Sequence, residues 1–189
     1  MKRIAIFASG NGSNAENIIR YFRENEVRAE VVLVVCNNRE AGVLQRSRDL
    51  GVATEVMSRG EINNPAEMLG VLERYAVDAI VLAGFLLMIP AFLTGRYAGK
   101  IINIHPSLLP KYGGKGMYGR HVHEAVVAAG ETETGITIHL VNERFDDGRI
   151  LFQAHTPISA GDTPADVERK IHILEQQHFP RVIAENLLG

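Results

Sequence analysis

The chain has 189 residues, of which 46% are hydrophobic and 22% charged, enough for one domain with a substantial core and short for two. Its formal net charge of -2 excludes a global field that would attract nucleic acid or an acidic membrane. Cys36 is the single cysteine, which excludes a disulfide framework, and no apolar run approaches the roughly 20 residues of a membrane span. The N-terminal apolar run has no signal-peptide cleavage pattern, so we expect a cytoplasmic protein.

The first half of the chain alternates between short apolar runs and amphipathic segments. Strands are predicted over 3–8, 30–36, 52–57, 77–83 and 100–105, and helices over 13–23, 41–51 and 64–76. The run EVVLVVC, at 30–36, is apolar and rich in β-branched residues, as in parallel strands covered on both faces. This alternation predicts an α/β doubly wound sheet with helices on both faces and right-handed crossovers.

The second half of the chain begins with a long loop that is rich in glycine and proline and is therefore a candidate functional segment. It covers 106–121 and is followed by a predicted helix over 121–130, strands over 135–143 and 149–158, and a helix over 163–188. The close spacing of the two strands favours an antiparallel pair, so we expect a mixed, mostly parallel sheet of about seven strands. Thr163 is the expected N-cap of the last helix, and Pro180 is a position where that helix can kink or divide.

A glycine-containing segment, SGNGSNAENI, connects the first strand to the first helix. Backbone N–H groups at a helix start bind anions, most naturally a phosphate, although a tight turn without a ligand fits the same letters. Gly10-x-Gly12-x-x-Ala15 also fits the dinucleotide fingerprint, but the second strand ends in Asn37 and Asn38 rather than in the acidic residue that holds a ribose. We therefore predict a single-phosphate site rather than a nicotinamide site, formed by Gly10, Asn11, Gly12, Ser13 and Asn14.

Two polar residues, Asn103 and His105, end the fifth predicted strand and point to the same face of it. Ligands of open α/β sheets bind at such strand ends. An amide that donates to an oxyanion and an imidazole that transfers protons suit attack on a carbonyl, but polar strand-end residues bonded to the next loop fit equally well. Asp146 and Asp147 lie in a later turn, and a carboxylate beside His105 would raise its pKa. Most Asp-Asp-Gly stretches are merely turns.

Other candidate residues carry weaker signals. His121 and His123 resemble a metal pair, but residues two apart on a helix do not share a face, so no metal site is predicted. His139 lies within a predicted strand, where a core histidine and a site residue are equally good interpretations. Glu175, on the last helix, has mostly polar neighbours and fits a solvated face.

Five segments resemble phosphoribosylglycinamide formyltransferases and occur in the same order, from the first strand to the terminal region. They are SGNGSN, LAGF, NIHPSLLPKY, TGITIHLV and FDDGRILFQ. NIHPSLLP with a later Asp-x-Gly is typical of folate-dependent formyltransferases, and the early phosphate loop indicates the glycinamide ribonucleotide branch. The resemblance implies a single formyltransferase domain over 1–189. Its Rossmann-like half, 1–105, would bind the nucleotide phosphate, and 106–189 would bind folate and carry out catalysis.

The resemblance also implies a reaction in purine biosynthesis. The amine of glycinamide ribonucleotide would attack the formyl carbon of 10-formyltetrahydrofolate, and a tetrahedral intermediate would collapse to formylglycinamide ribonucleotide and tetrahydrofolate. Asn103 and His105, the latter as an imidazolium, would stabilise the oxyanion. Asp146 would orient His105 and a proton-shuttling water, and Glu175 would bind the ribose. The implied folate pocket comprises Phe85, Leu86, Leu87, Met88, Ile89, Leu140, Val141 and Asn142, with His139 and Ser107 in support.

The sequence departs from this family at two places. Leu87 stands where many relatives have an arginine, and the segment GGKGMYGRHVHEA, at 113–125, is extended. The close alternative is a formyltetrahydrofolate hydrolase, whose additional N-terminal regulatory domain we expect to be absent. Alternatives of other classes are a dinucleotide-dependent oxidoreductase and a non-catalytic nucleotide-binding module. The expected partners are the two small-molecule substrates, without nucleic acid or membrane, in a monomer or weak homodimer.

Overall fold

The computed structural model describes residues 1–144 and 146–187 and contains a single mixed sheet of seven strands. The strands are β1 (Lys2–Ala8), β2 (Ala29–Cys36), β3 (Ala53–Val56), β4 (Ala79–Leu82), β5 (Ile101–His105), β6 (Glu133–Leu140) and β7 (Ile150–Pro157). Their order is β3-β2-β1-β4-β5-β6-β7; β1 to β5 are parallel, and β6 and β7 are each antiparallel to the preceding strand. The predicted mixed α/β sheet is therefore confirmed.

Seven helices connect or follow the strands within the described residues. They are α1 (Ser13–Glu24), α2 (Gly42–Asp49), α3 (Arg59–Ile62), α4 (Pro65–Arg74), α5 (Ala91–Arg96), α6 (Arg120–Ala128) and α7 (Pro164–Leu187). The sequence did not predict α3 and α5, because four and six residues are too few to show a helical apolar period. No helix in the described part of the chain is both long and apolar enough to cross a lipid bilayer.

The last helix, α7, begins as the sequence predicts and runs without a break to Leu187. Asp166 N–H donates to Thr163 Oγ1 and Thr163 N–H donates to Asp166 Oδ2, at 3.2 and 2.8 Å, which caps the first turn reciprocally. Pro180 lies inside the helix and does not divide it. Its neighbours Phe179 and Val182 are buried, so tertiary packing offsets the missing N–H. The predicted end at Leu188, like Phe145 of the FDDG turn, lies outside the described residues.

Two apolar cores, one on each face of the sheet, fix the direction of the buried strand side chains. One core contains residues of α1, α2 and α7, and the other contains residues of α3, α4 and α5. In β5, Ile102 and Ile104 belong to the first core, whereas Ile101 belongs to the second. Asn103 and His105 have the parity of Ile101 and therefore share its face. Both polar side chains therefore lie on one face of the sheet, at the carboxyl end of β5.

Candidate active site

A cavity of about 820 Å³ lies at the carboxyl ends of β1, β4 and β5, where open α/β sheets bind ligands. Its lining includes the glycine loop (residues 10–14), the end of β4 with the segment after it, the end of β5, the end of β6 with the turn after it, and part of α7. The residues predicted to bind phosphate, ribose and folate or to act in catalysis all line this cavity, except Leu140 and Ser107. Leu140 is half-buried against the core, and Ser107 is fully buried.

Asn103 and His139 are paired across β5 and β6, because the antiparallel register places them directly opposite each other. Asn103 Nδ2 lies 3.0 Å from His139 Nε2, and His139 Nδ1 lies 3.0 Å from the Leu140 carbonyl oxygen. A carbonyl can only accept, so we assign the His139 hydrogen to Nδ1, and Nε2 then accepts from the Asn103 amide. The second amide hydrogen of Asn103 is left for a ligand in the cavity.

His105 is only 4% exposed and lies between two acceptors. Its Nε2 donates to the Tyr112 carbonyl oxygen at 2.7 Å, and its Nδ1 lies 3.5 Å from Asp146 Oδ2. Asp146 Oδ2 also accepts from the Gly114 N–H at 3.0 Å, and Asp146 Oδ1 lies 3.7 Å from His139 Nε2. The fold thus brings the predicted histidine and aspartate together, which their separation in sequence left open.

Burial and the neighbouring groups act in opposite directions on the pKa values of His105 and Asp146. Burial lowers the pKa of His105 below its ordinary value, and the Asp146 carboxylate and the Tyr112 carbonyl offset that effect only in part. The role of His105 as an imidazolium beside the oxyanion stays a prediction, because burial opposes the charge and Asp146 favours it. Burial alone would raise the pKa of Asp146, but His139, His105 and the Gly114 N–H together lower it, so the carboxylate is ionised near neutral pH.

The glycine loop depends on Gly12, the N-cap of α1. Its φ is 86°, and a Cβ there would lie 2.5 Å from the Cα of Val43, so only glycine fits. No side chain among the described residues caps α1, and the first N–H groups of a helix have no intrahelical acceptor. Because Gly12, Ser13 and Asn14 line the cavity, an anion there can accept from these groups. Phosphate binding at this loop stays a prediction.

Side chains of the glycine loop are tied to α7. Ser13 Oγ lies 3.0 Å from His172 Nε2, Asn14 Nδ2 donates to Glu175 Oε2 at 2.9 Å, and Gln176 Nε2 donates to Asn14 Oδ1 at 3.1 Å. The hydrogen bond and charge of Glu175 raise the pKa of His172 above its ordinary value. The Asn14 amide, expected to serve a phosphate, is thus already engaged with α7, and His172 contributes a titratable cation beside Ser13.

The segment Phe85–Ile89 gives the cavity an apolar wall. Leu86 and Met88 are 54% and 49% exposed, whereas Phe85 packs edge-to-face on Phe7 with ring centroids 5.3 Å apart. Large apolar side chains exposed beside a cavity are typical of a site for an apolar ring. The other predicted folate-pocket residues that line the cavity are Val141 and Asn142.

Several residues lie at or near the cavity although no pattern in the sequence predicts that they do. Tyr112 acts through its backbone carbonyl, which no side-chain pattern reveals. Arg59, at the start of α3, and Arg144, in the turn after β6, also line the cavity. His123 is buried in the wall, and its Nδ1 has no hydrogen-bond partner in the described part of the chain, whereas His121 is exposed. Within residues 1–144 and 146–187, no group of three histidine, cysteine or acidic residues could hold a metal ion.

Comparison with known proteins gives a consistent family assignment. Residues 2–183 match the family model described as formyl transferase. The phosphoribosylglycinamide formyltransferase of Haemophilus influenzae is 39% identical over 187 residues, which are 97% of this chain and 86% of that protein. The chloroplastic enzyme of Arabidopsis thaliana is 39% identical over 182 residues, but this chain spans only 62% of its length.

Solved structures agree with the sequence relatives. Glycinamide ribonucleotide transformylase 1 from Geobacillus kaustophilus superposes with a TM-score of 0.90 at 37% identity, covering 100% of both chains. This similarity extends over the glycine loop, the end of β5 and α7, so it includes every part of the chain that lines the cavity.

Proposed function

Because the chain belongs to the formyl transferase family, we propose that it transfers the formyl group of 10-formyltetrahydrofolate to the amine of glycinamide ribonucleotide. Relatives named phosphoribosylglycinamide formyltransferase support this substrate pair. The observation that carries the proposal is the composition of one cavity of about 820 Å³. It combines a helix-start loop suited to a phosphate, an amide–imidazole–carboxylate cluster suited to acyl chemistry, and an apolar wall suited to a pterin.

Asn103 and His105 would stabilise the oxyanion that forms when the amine attacks the formyl carbon. The unused amide hydrogen of Asn103 supplies one donor. His105 Nδ1, at 3.5 Å from Asp146, makes no full hydrogen bond and supplies the second donor once it is protonated. The oxyanion is a further negative charge beside His105 and raises its pKa in the transition state, where the imidazolium is needed.

Asp146 would orient His105 and hold a water that moves the proton. The amine loses one proton as its nitrogen bonds to the formyl carbon, and N10 of the folate gains one as its bond to that carbon breaks. An ionised carboxylate serves as the relay because it can accept the amine proton through water and return it. The lowered pKa of Asp146 keeps this acceptor ionised near neutral pH.

The two substrates would occupy different parts of the cavity. The phosphate would bind the N–H groups of the glycine loop with Ser13 and His172, and Glu175 would accept from the ribose hydroxyls. The pterin of the folate would lie against Phe85–Ile89. In this arrangement the phosphate site would contain the glycine loop of 1–105 and α7 of 106–189. Both predicted halves would therefore contribute to the phosphate site.

Tetrahydrofolate release from 10-formyltetrahydrofolate, measured with and without glycinamide ribonucleotide, tests the proposal. We expect tetrahydrofolate to be released only when the ribonucleotide is present. We expect the Asn103→Ala variant to lose this release. Release that does not depend on the amine would indicate a hydrolase instead. No release under either condition would overturn the catalytic assignment.

A further inference from the structure

The loop after β5, residues 106–112, is held by a polar pair of which Thr137 is buried and Gln153 is half-buried. Thr137 and Gln153 lie opposite each other across β6 and β7. Thr137 Oγ1 donates to the Ser107 carbonyl at 2.7 Å and accepts from the Leu109 N–H at 2.9 Å and from Gln153 Nε2 at 3.0 Å. This hydroxyl therefore has its donor and both acceptor positions occupied. The first part of the loop is firmly fixed to the sheet.

Tyr112, at the end of this loop, has an unusual backbone conformation. Its φ is 55°, in the left-handed region that bulky residues rarely adopt, and such a conformation persists only where the surroundings enforce it. The conformation accompanies the 2.7 Å hydrogen bond from His105 Nε2 to the Tyr112 carbonyl. Strained residues cluster at functional sites, and the contacts of the Tyr112 side chain hold this conformation in place.

The side chain of Tyr112 is anchored outside the substrate cavity. Its hydroxyl donates to Glu131 Oε1 at 2.9 Å, and Lys111 Nζ lies 3.0 and 3.3 Å from the two Glu131 oxygens. The Lys111 and Tyr112 hydrogen bonds lower the pKa of Glu131, so it accepts as a carboxylate. Glu131 lines a second cavity, of about 610 Å³, and is absent from the lining of the substrate cavity. Any effect of Glu131 on the reacting groups is therefore indirect, and its contact with Tyr112 is the one that leads to His105.

We propose that Glu131 is a positioning residue for His105. By holding the Tyr112 hydroxyl it fixes the Tyr112 backbone, whose carbonyl keeps the His105 hydrogen on Nε2 and turns Nδ1 toward Asp146. Without this anchor the carbonyl is free to turn away, and the ring loses both its orientation and one of the two influences that raise its pKa. The groups that face the His105 ring and shift its pKa are Asp146, His139 and the Tyr112 carbonyl.

Two readouts test this positioning role. The effect on turnover rests on the proposed function, whereas the protonation of His105, followed by nitrogen NMR of the imidazole across pH, does not. We expect Tyr112→Phe and Glu131→Ala each to lower kcat by about ten- to a hundredfold, the order lost when a catalytic group shifts by an ångström. KM for both substrates should stay within about twofold because no substrate contact is removed. The His105 pKa should fall in both variants.

A matched control exists elsewhere in the chain. Tyr75 Oη donates to Glu55 Oε1 at 3.1 Å, and Arg74 Nη1 lies 3.0 Å from the same oxygen, so a second Tyr–Glu–cation group occurs away from the cavity. Tyr75→Phe should leave kcat and the His105 titration unchanged. Glu131→Gln keeps an acceptor for the Tyr112 hydroxyl and should restore most of the lost kcat.

The combined variant decides whether the two residues act in one chain of contacts. Tyr112→Phe with Glu131→Ala should lose no more activity than either change alone, because both remove the same bond. Fully additive losses, or a Tyr112→Phe variant with wild-type kcat and an unchanged His105 titration, would overturn the positioning role. If the wild-type protein transfers no formyl group, the proposed function fails, but the His105 titration still tests the positioning role.

Discussion

Replacement of Asn103 by alanine has two effects that can be measured separately. The catalytic effect is loss of one donor to the oxyanion. Removal of one such donor typically costs about 10²–10³ in kcat, or about 2.7–4 kcal/mol. The structural effect is loss of the 3.0 Å contact with His139, which is only 2% exposed and keeps Nδ1 on the Leu140 carbonyl. A buried acceptor left unpaired costs about 1–3 kcal/mol of unfolding free energy.

Steady-state kinetics and thermal unfolding of Asn103→Ala distinguish these effects. We expect kcat to fall by about 10²–10³ while KM for the ribonucleotide changes little, because the oxyanion exists only in the transition state. Tm should fall by about 2–4 °C for each kcal/mol lost in a chain of this size. A variant that loses stability but keeps kcat within about threefold would exclude a catalytic role, since Asn103 would then be only a structural strand-end residue.

Three further results are expected. Asp146→Asn, which removes the ionised carboxylate and its proton relay, should lower kcat by about two orders of magnitude, and kcat near the wild-type value would remove Asp146 from the mechanism. Glu175 raises the pKa of His172, so the cation is present below that pKa and lost as pH rises through it. KM for the ribonucleotide should therefore rise with pH in this range, and His172→Gln should flatten the profile; a flat wild-type profile would contradict this role. Gly12→Ala should lower Tm and weaken phosphate binding, as judged by calorimetry, because its Cβ would meet Val43. An unchanged Tm would contradict the crowding there.

The parts of the fold that sequence predicts are those with a short-range cause. The continuous apolar run of β2 and the period-2 pattern of β6 and β7 identify strands whatever surrounds them, and their alternation with helices indicates a mostly parallel sheet. Two short helices, α3 and α5, were missed because they contain too few residues to show a period. The possible break at Pro180 did not occur, because packing of the adjacent buried side chains holds α7 together.

The candidate site divides in the same way. Strand alternation predicts that Asn103 and His105 lie on one face of β5, and in the structure both line the same cavity. Their partners, His139 and the Tyr112 carbonyl, depend on an antiparallel register and on a left-handed residue in a loop, neither of which is visible locally. The sequence identifies a carboxylate that can raise the pKa of His105, but it does not reveal the burial that lowers that pKa.

In the proposed reaction the formyl carbon moves from the folate to the amine of the ribonucleotide. Carbon NMR of 10-formyltetrahydrofolate labelled at the formyl carbon follows that atom directly. With glycinamide ribonucleotide and the wild-type protein, we predict that the label leaves the folate and appears as a formamide carbon on the ribonucleotide. Label that appears as formate, or that stays on the folate, would contradict the account.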